Sequence, residues 1–408
     1  MAQIDKFLHF LIKSGGSDLH VITGSPPILR VDGELQKMKL PPLNAEQVKQ
    51  LIYEILPDAN RKQFEAENDT DMCYEIENVA RFRTNVFRDL KGPGLVMRLI
   101  PMDIMTVEDL GLPDEVRDLA MLPKGIVLVT GPTGCGKTTT LAALVQYANQ
   151  MRTDHIITIE DPIEFVHDNK KCIVNHRQVH VHTESFKRAL RAGLREDPDI
   201  ILIGEMRDLE TTALALESAE TGHLVFATCH TSTASSTVDR IVDQFPPDRQ
   251  EQIRIMLANS LKAVIAQMLC RRKGKGRVAA FEILVVHSAV ANLIREKKTY
   301  QLPSVIQTGK KLGMRTMNES LMELIEEDLI EVEEGYAKST DKQDMNNRLN
   351  MFLFDRVKKR QLSVDEAIKL SYWRHGLVEL LRRQGYERAV KHIDLNQLKE
   401  QEQELLEA

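Results

Sequence analysis

The eight residues Gly131, Pro132, Thr133, Gly134, Cys135, Gly136, Lys137 and Thr138 fit the spacing G-x-x-x-x-G-K-[ST], and Thr139 opens the stretch behind them. Those types in that order handle phosphate. A glycine-rich loop wraps its backbone N–H groups around phosphate oxygens, and the helix that follows adds the positive end of its dipole. Lys137 is placed to reach the β- and γ-phosphates and Thr138 to ligate Mg²⁺. A short apolar run precedes the loop and a helical pattern follows it, which is the context the motif requires. The chain reads as binding a nucleoside triphosphate.

Phosphoryl transfer also needs carboxylates that hold the metal and orient a water. One run, Ile159-Glu-Asp-Pro-Ile-Glu-Phe165, carries Glu160, Asp161 and Glu164; another, Ile200-Ile-Leu-Ile-Gly-Glu205, ends in Glu205. Carboxylates just past apolar strands stand at the carboxyl edge of an α/β sheet, where ligands bind. Alone, either run reads as well as a solvated turn; beside a P-loop the two read as its metal and water groups. Arg81 and Arg83 share one face of a strand by period two, and Arg98 stands on the next strand. A solvated sheet face is an equally ordinary reading for them. Cys172, His176, His180 and His182, and Cys229 beside His230, lack the C-x-x-C or H-E-x-x-H spacing of zinc sites. Cys135, inside the phosphate loop, makes the site a candidate target for thiol reagents.

These groups need elements to carry them. Apolar runs at 126–130, 155–159, 200–203 and 224–228 alternate with helical stretches, which predicts a mainly parallel sheet covered on both faces. After Pro246-Pro247 the pattern reads as helical, with one more strand at 278–286. Ahead of the P-loop the chain reads as a small α/β unit. Ile4, Phe7, Leu8, Leu11 and Ile12 form one helical face that Gly15-Gly16 ends. Asp32-Gly33 between two strand-like runs signals a hairpin, Asn44 caps a helix reaching Leu56, and strands follow at 80–90 and 94–100. The expected division is a domain at 1–100, a linker at 101–113, an ATPase domain at 114–344 and a helical extension at 345–408. In that extension Leu370, Trp373, Leu377, Leu380 and Leu381 predict one amphipathic helix with a face to bury. No internal repeat of roughly 20–50 residues is apparent.

Composition sets the outer bounds. The 408 residues carry 54 Lys+Arg against 60 Asp+Glu, a formal net charge of −6, with 42% hydrophobic and 28% charged residues. That describes an ordinary globular protein, long enough for two or three domains. No apolar run approaches the ~18 residues of a membrane span, the first residues show no secretory leader, and five scattered cysteines suit a reducing compartment. The mild negative charge speaks against a dedicated nucleic-acid binder.

Together the motifs resemble the secretion-type hexameric ATPases of type IV pili and type II secretion, and within them the pilus-retraction branch that drives twitching motility. The resemblance covers about residues 1–344. It is carried by Gly15-Gly-Ser-Asp-Leu-His20, the P-loop, Ile157-Thr-Ile-Glu-Asp-Pro-Ile-Glu164, the run from Leu194 to Thr211 that contains Glu205, and the run from Ala219 to Thr231 that contains His223 and His230. It implies an α/β fold in which a PAS-like N-terminal domain precedes a RecA-like ATPase domain and a helical C-terminal region. It implies hydrolysis of ATP with Mg²⁺. Glu164 then polarises the attacking water, Glu160 and Asp161 support the metal, and Glu205 holds it in the Walker B place. His230, and less directly His223, reports on the γ-phosphate. Arg83 and Arg98 reach the nucleotide across a subunit boundary, with Arg195 and Arg207 as further contacts. The implied assembly is a homo-hexamer acting on an inner-membrane pilus platform protein from the cytoplasmic face. Accessory retraction, pilus-assembly and secretion motors are the neighbouring readings, and a non-hydrolysing nucleotide-dependent scaffold is one of another class. Ala291, in the run Ala289-Val-Ala-Asn-Leu-Ile-Arg-Glu296, stands where the retraction motif carries Arg.

Overall fold

In the computed structural model, which describes residues 2–31, 33–77, 79–100, 103–395 and 398, the first helix, Asp5–Lys13, buries Leu8 and Leu11 along the face its sequence spacing marks. It lies against a six-stranded antiparallel sheet built from β1 (Gly16–Ile22), β2 (Ile28–Val31), β3 (Glu34–Lys37), β4 (Asp69–Ile76), β5 (Ala80–Asp89) and β6 (Gly92–Ile100), in the order β3-β2-β1-β6-β5-β4. Asn44 and Gln47 form a reciprocal capping box at the head of helix Ala45–Ile55, whose Val48, Leu51, Ile52 and Ile55 join the core. From Ala80 to Phe87, β5 alternates between buried and half-buried positions, so Phe82, Thr84 and Val86 face the core while Arg81 and Arg83 face the other way. Gly16 permits the tight exit from the first helix, because a Cβ there would lie 2.6 Å from Leu11 Cδ1. The hairpin expected at Asp32-Gly33 joins β2 to β3, although Asp32 itself lies outside the described residues, as do residues 101–102 at the start of the expected linker.

The second sheet holds the P-loop. Its strands are β7 (Gly125–Thr130), β8 (His155–Glu160), β9 (Ile173–Gln178), β10 (Ile200–Ile203), β11 (Leu224–Cys229), β12 (Leu261–Arg271) and β13 (Arg277–Val285), in the order β13-β12-β7-β11-β10-β8-β9. The pairs β7–β11, β11–β10, β10–β8, β8–β9 and β12–β7 are all parallel. β7, β10 and β11 are buried at every position, as expected of strands covered on both faces. Two strands depart from the sequence reading. β9 is an edge strand that the pattern did not separate from its surroundings. The run 261–271, read as helical, is β12, because a mostly apolar run is ambiguous until a neighbouring strand claims it, and here β7 does so, in parallel from Ala263 to Ala266 after a register shift at Leu261.

The chain resolves into two compact units, one of Met1–Met268 with Glu282–Met314, the other of Leu269–Phe281 with Arg315–Ala408. The second unit contains a repeat that the sequence reading missed. Asn318 Nδ2 donates to Asp341 O, 23 residues on, and Ser339, 21 residues on, donates its hydroxyl to Asn318 Oδ1. Asn350 repeats both bonds at the same separations, to Trp373 O and from Ser371. Helices Met317–Glu326 and Val332–Lys338 thus correspond to the second half of Lys342–Lys358 and to Val364–Leu370. The two copies share side-chain classes more than identities, which hides the repeat from inspection. The same network corrects the single tail helix. Ser371 adopts extended backbone and accepts from Trp373 N, so the helix stops at Leu370, which is 55% exposed, and a new one, Arg374–Arg383, buries Leu377 and Leu381. The tail packs on the preceding copy within this unit through a Tyr336–Tyr372 ring stack, 4.3 Å between centroids.

Candidate active site

β7 delivers the phosphate loop at the carboxyl edge of the sheet. Gly131 closes the strand at φ +145 and Gly134 and Gly136 turn with φ +77 and +92, conformations that favour glycine. Gly136 caps helix Lys137–Met151, so the loop leads straight into a helix N-terminus with Thr138 and Thr139 in its first turn. Pro132, Thr133 and Gly134 are exposed, forming the rim. Cys135 is 3% exposed, and burial pushes its thiol up despite Lys137 beside it, so the expected sensitivity to thiol reagents does not fit its position.

Lys137 Nζ donates to Gly131 O at 2.9 Å and Pro132 O at 3.2 Å, holding the ammonium across the loop. It also lies 3.5 Å from His230 Nδ1. His230 Nε2 donates to Glu205 Oε1 at 2.5 Å, which leaves Nδ1 as the acceptor toward the lysine. Arg207 Nη2 holds the other oxygen, Oε2, at 2.6 Å. Burial alone would raise the Glu205 carboxyl, but the Arg207 bond and charge and the His230 contact bring it below the usual carboxylate value. P-loop lysine, histidine, Walker-type carboxylate and arginine therefore form one connected chain.

Backbone ties that the motif reading missed hold this chain in place. Thr130 Oγ1 meets Thr231 O at 2.6 Å and accepts from Thr231 N at 3.0 Å, pinning the segment after His230 to the end of β7. Thr228 Oγ1 donates to Gly204 O at 2.5 Å, fixing the turn before Glu205. The signal available in the sequence is a threonine near the end of each of two otherwise apolar strands. His223, by contrast, stands just before β11 at the opposite, amino edge, where its Nδ1 meets Ser218 O at 2.9 Å. Arg195 precedes β10 at that same edge.

The acidic box ends β8. Asp161 is exposed, and Glu164 is half-buried with Arg83 Nη1 of the same chain 3.6 Å from its Oε1. Glu160 differs. It is 6% exposed, and burial pushes its carboxyl up to about 7, opposed by a Thr158 hydroxyl bond and aided by the Glu164 charge. Arg98, directly opposite Arg83 on β6, is engaged by another carboxylate, its Nε bonded to Asp18 Oδ1 at 2.8 Å. Cys172 bonds Arg152 O and His176 bonds Thr158, so that cluster points to separate partners. Among the described residues no three His, Cys, Asp or Glu side chains gather as a metal cage. Helix Ser288–Arg295 buries Val290, Ala291 and Ile294 in the core.

The Type II/IV secretion system protein family matches residues 1–337. The chain is 52% identical over 336 residues to the Type IV pilus retractation ATPase PilT of Pseudomonas aeruginosa, covering 82% of this chain and 98% of that protein. It is 49% identical over 321 residues to a twitching motility protein of Neisseria gonorrhoeae, covering 78% and 86%. The fold superposes on the crystal structure of the pilus retraction motor PilT with bound ADP at a TM-score of 0.78 and 44% identity, covering 85% and 99%.

Proposed function

The chain belongs to the Type II/IV secretion system protein family, and on that premise we propose that it is an ATP-hydrolysing motor that powers type IV pilus retraction in twitching motility. The observation that carries the reading is the connected chain Lys137–His230–Glu205–Arg207 beneath a P-loop, in a protein 52% identical to a retraction ATPase over almost the whole of that relative. A cation at the phosphates joined to an ionised carboxylate on the neighbouring strands is the arrangement phosphoryl transfer uses.

Lys137 and the loop N–H groups bind the triphosphate, and Glu164 orients and polarises the water. His230, bonded to Glu205 and beside Lys137, senses whether a γ-phosphate is present. Mg²⁺ suits the hard oxygen donors here: the Thr138 hydroxyl with Glu205 and the exposed Asp161, the remaining positions being filled by phosphate and water. When bound it neutralises charge on the transferring phosphate. Glu160, buried and pushed up to about 7, is the least suited of the proposed metal carboxylates.

Arg83 and Arg98 supply positive charge across a subunit boundary, which requires Arg83 to leave Glu164 and Arg98 to keep or exchange Asp18. The site is then complete only in a homo-hexamer. Residues 1–100 move as a body on 114–344 through the linker 101–113 as nucleotide joins the two sides, and the ring works on an inner-membrane pilus platform protein at the cytoplasmic face. Among the described residues no helix is long and apolar enough to cross a membrane.

Glu164→Gln tests the chemistry. It should bind nucleotide like the parent and lose turnover by about 10²-fold or more, while Lys137→Ala should lose binding. Near-normal phosphate release from Glu164→Gln would remove Glu164 from its role. Cells lacking the gene should keep pili and fail to retract them; loss of pili would point to an assembly motor.

A further inference from the structure

Gln267 is a polar residue inside an apolar strand. It sits on β12 one step beyond Ala266, which pairs with Thr130 at the end of β7, and it is 3% exposed. Both ends of its amide are used. Nε2 donates to Cys135 O at 2.6 Å, and Oε1 accepts from the Thr140 hydroxyl at 2.8 Å. Cys135 belongs to the phosphate loop and Thr140 to the first turn of the helix behind it, so one side chain grips both. Two loop glycines close on the same residue. A Cβ on Gly131 would lie 2.3 Å from the Gln267 carbonyl oxygen, and one on Gly136 would lie 3.2 Å from Nε2.

We propose that Gln267 is a positioning residue for nucleotide binding, which sets the Cys135–Gly136 peptide so that the Gly136 N–H faces the phosphates. The proposal rests on the ATPase reading above. In a trans peptide the carbonyl and the following N–H point in opposite directions. Gln267 draws the Cys135 carbonyl down into the buried edge of the sheet, which turns the Gly136 N–H out toward the loop's concave side. Its second bond to Thr140 fixes the amide itself, so the grip does not depend on nucleotide. Without Gln267, the Cys135 carbonyl and the Thr140 hydroxyl lose their buried partner. The loop must then be ordered during binding, and that ordering is charged against affinity. Lys137, Glu164 and Glu205, which act on the reacting phosphate and water, are untouched. The loss therefore falls on KM and nucleotide Kd, and kcat changes little.

Gln267→Met keeps length and burial without the amide, and Thr140→Val removes only the outer support. With the full-length protein, ATP and ADP titrations, steady-state phosphate release, thermal unfolding and ring size are measured for each. Gln267→Met should raise Kd and KM about tenfold with kcat within about twofold of the parent. Thr140→Val should raise KM about threefold, and the double variant should be no worse than Gln267→Met alone, because the two share one pathway. Parental KM and Kd in a folded Gln267→Met overturn the proposal, as does a fall in kcat with KM unchanged. Where Gln267→Met does not fold, Thr140→Val decides, and parental KM there overturns it. A parent that binds no nucleotide overturns the ATPase reading together with the proposal, whereas a parent and Gln267→Met that bind equally well overturn the proposal alone.

Discussion

Asp18 Oδ1 accepts from Arg98 Nε at 2.8 Å, across directly opposed positions of β1 and β6. The two partners differ sharply in exposure: the Asp18 side chain is 5% exposed and that of Arg98 63%. A fixed carboxylate thus anchors an arginine whose outer end stands in solvent. Burial would raise the Asp18 carboxyl, but the Ser17 hydroxyl and Arg98 together hold it below the usual carboxylate value.

Asp18→Asn should therefore loosen Arg98 without removing it. If Arg98 acts on a neighbouring subunit's nucleotide, ATP turnover per ring falls several-fold while single-chain nucleotide affinity stays at the parental level. The pair also has a pH signature. A carboxyl depressed in the fold contributes stability that is complete above its unfolded value and lost as pH falls through the folded one, so the difference in unfolding midpoint between parent and Asp18→Asn should shrink below about pH 4. With Arg98 largely in water, the contribution is on the order of 1 kcal/mol. An acid-independent difference would mean that Asp18 acts by packing alone.

Mixing Arg98→Ala with Lys137→Ala should restore part of the activity that each lacks. In mixed rings, some boundaries pair an intact Lys137 site with an intact Arg98. Phosphate release is followed across mixing ratios, with mixed-ring formation checked separately. If mixed rings form and no ratio recovers activity, Arg98 does not work across the boundary.

The P-loop, the carboxylates at strand ends and the parallel sheet were legible because each has a local signature: glycine spacing, an apolar run and a charge just beyond it. What escaped was set by neighbours. The run 261–271 is a strand only because β7 lies beside it, and the partners of Gln267 are more than a hundred residues away. Glu160 and Asp161 are adjacent in sequence, yet one is buried and the other exposed, because successive residues at a strand end leave the sheet in different directions. The helical repeat escaped because its shared signature is little more than an Asn and a Ser 21 residues apart, Asn318 with Ser339 and Asn350 with Ser371, and the other half of each bond network ends on a backbone carbonyl.

Glu160→Gln should stabilise the protein increasingly as pH rises. A carboxyl raised to about 7 in the fold contributes favourably while protonated, and that contribution is lost as pH climbs from the unfolded value, about 4.3, through 7. Above that range the fold holds a buried charge that glutamine never acquires. The midpoint advantage of Glu160→Gln without nucleotide should be small at pH 5 and largest at pH 8, on the order of 1–3 kcal/mol. Equal midpoints at both pH values would show that Glu160 is already paired as an anion.

The tail can be separated from the motor. Lys137, Glu164, Glu205, His230, Arg83 and Arg98 all lie in the unit made of Met1–Met268 and Glu282–Met314, whereas everything after Asp344 lies in the other. A chain ending at Asp344 should therefore keep nucleotide binding, ring formation and ATP hydrolysis within about twofold. It should not keep full stability. Met345 and Leu349, both buried, are lost, and Arg348 no longer bonds Asp344 or faces Glu319. Large-to-small changes at such sites cost about 2–5 kcal/mol each, so melting of the remaining helical unit should move to lower temperature. A chain ending at Lys359 retains the whole helix Lys342–Lys358 and should recover most of that loss, because Met345, Leu349 and the Arg348 contacts with Asp344 and Glu319 are then kept. Thermal unfolding followed alongside phosphate release separates the two effects. Abolished hydrolysis in a shortened protein that still melts cooperatively and still forms rings would place the tail inside the motor.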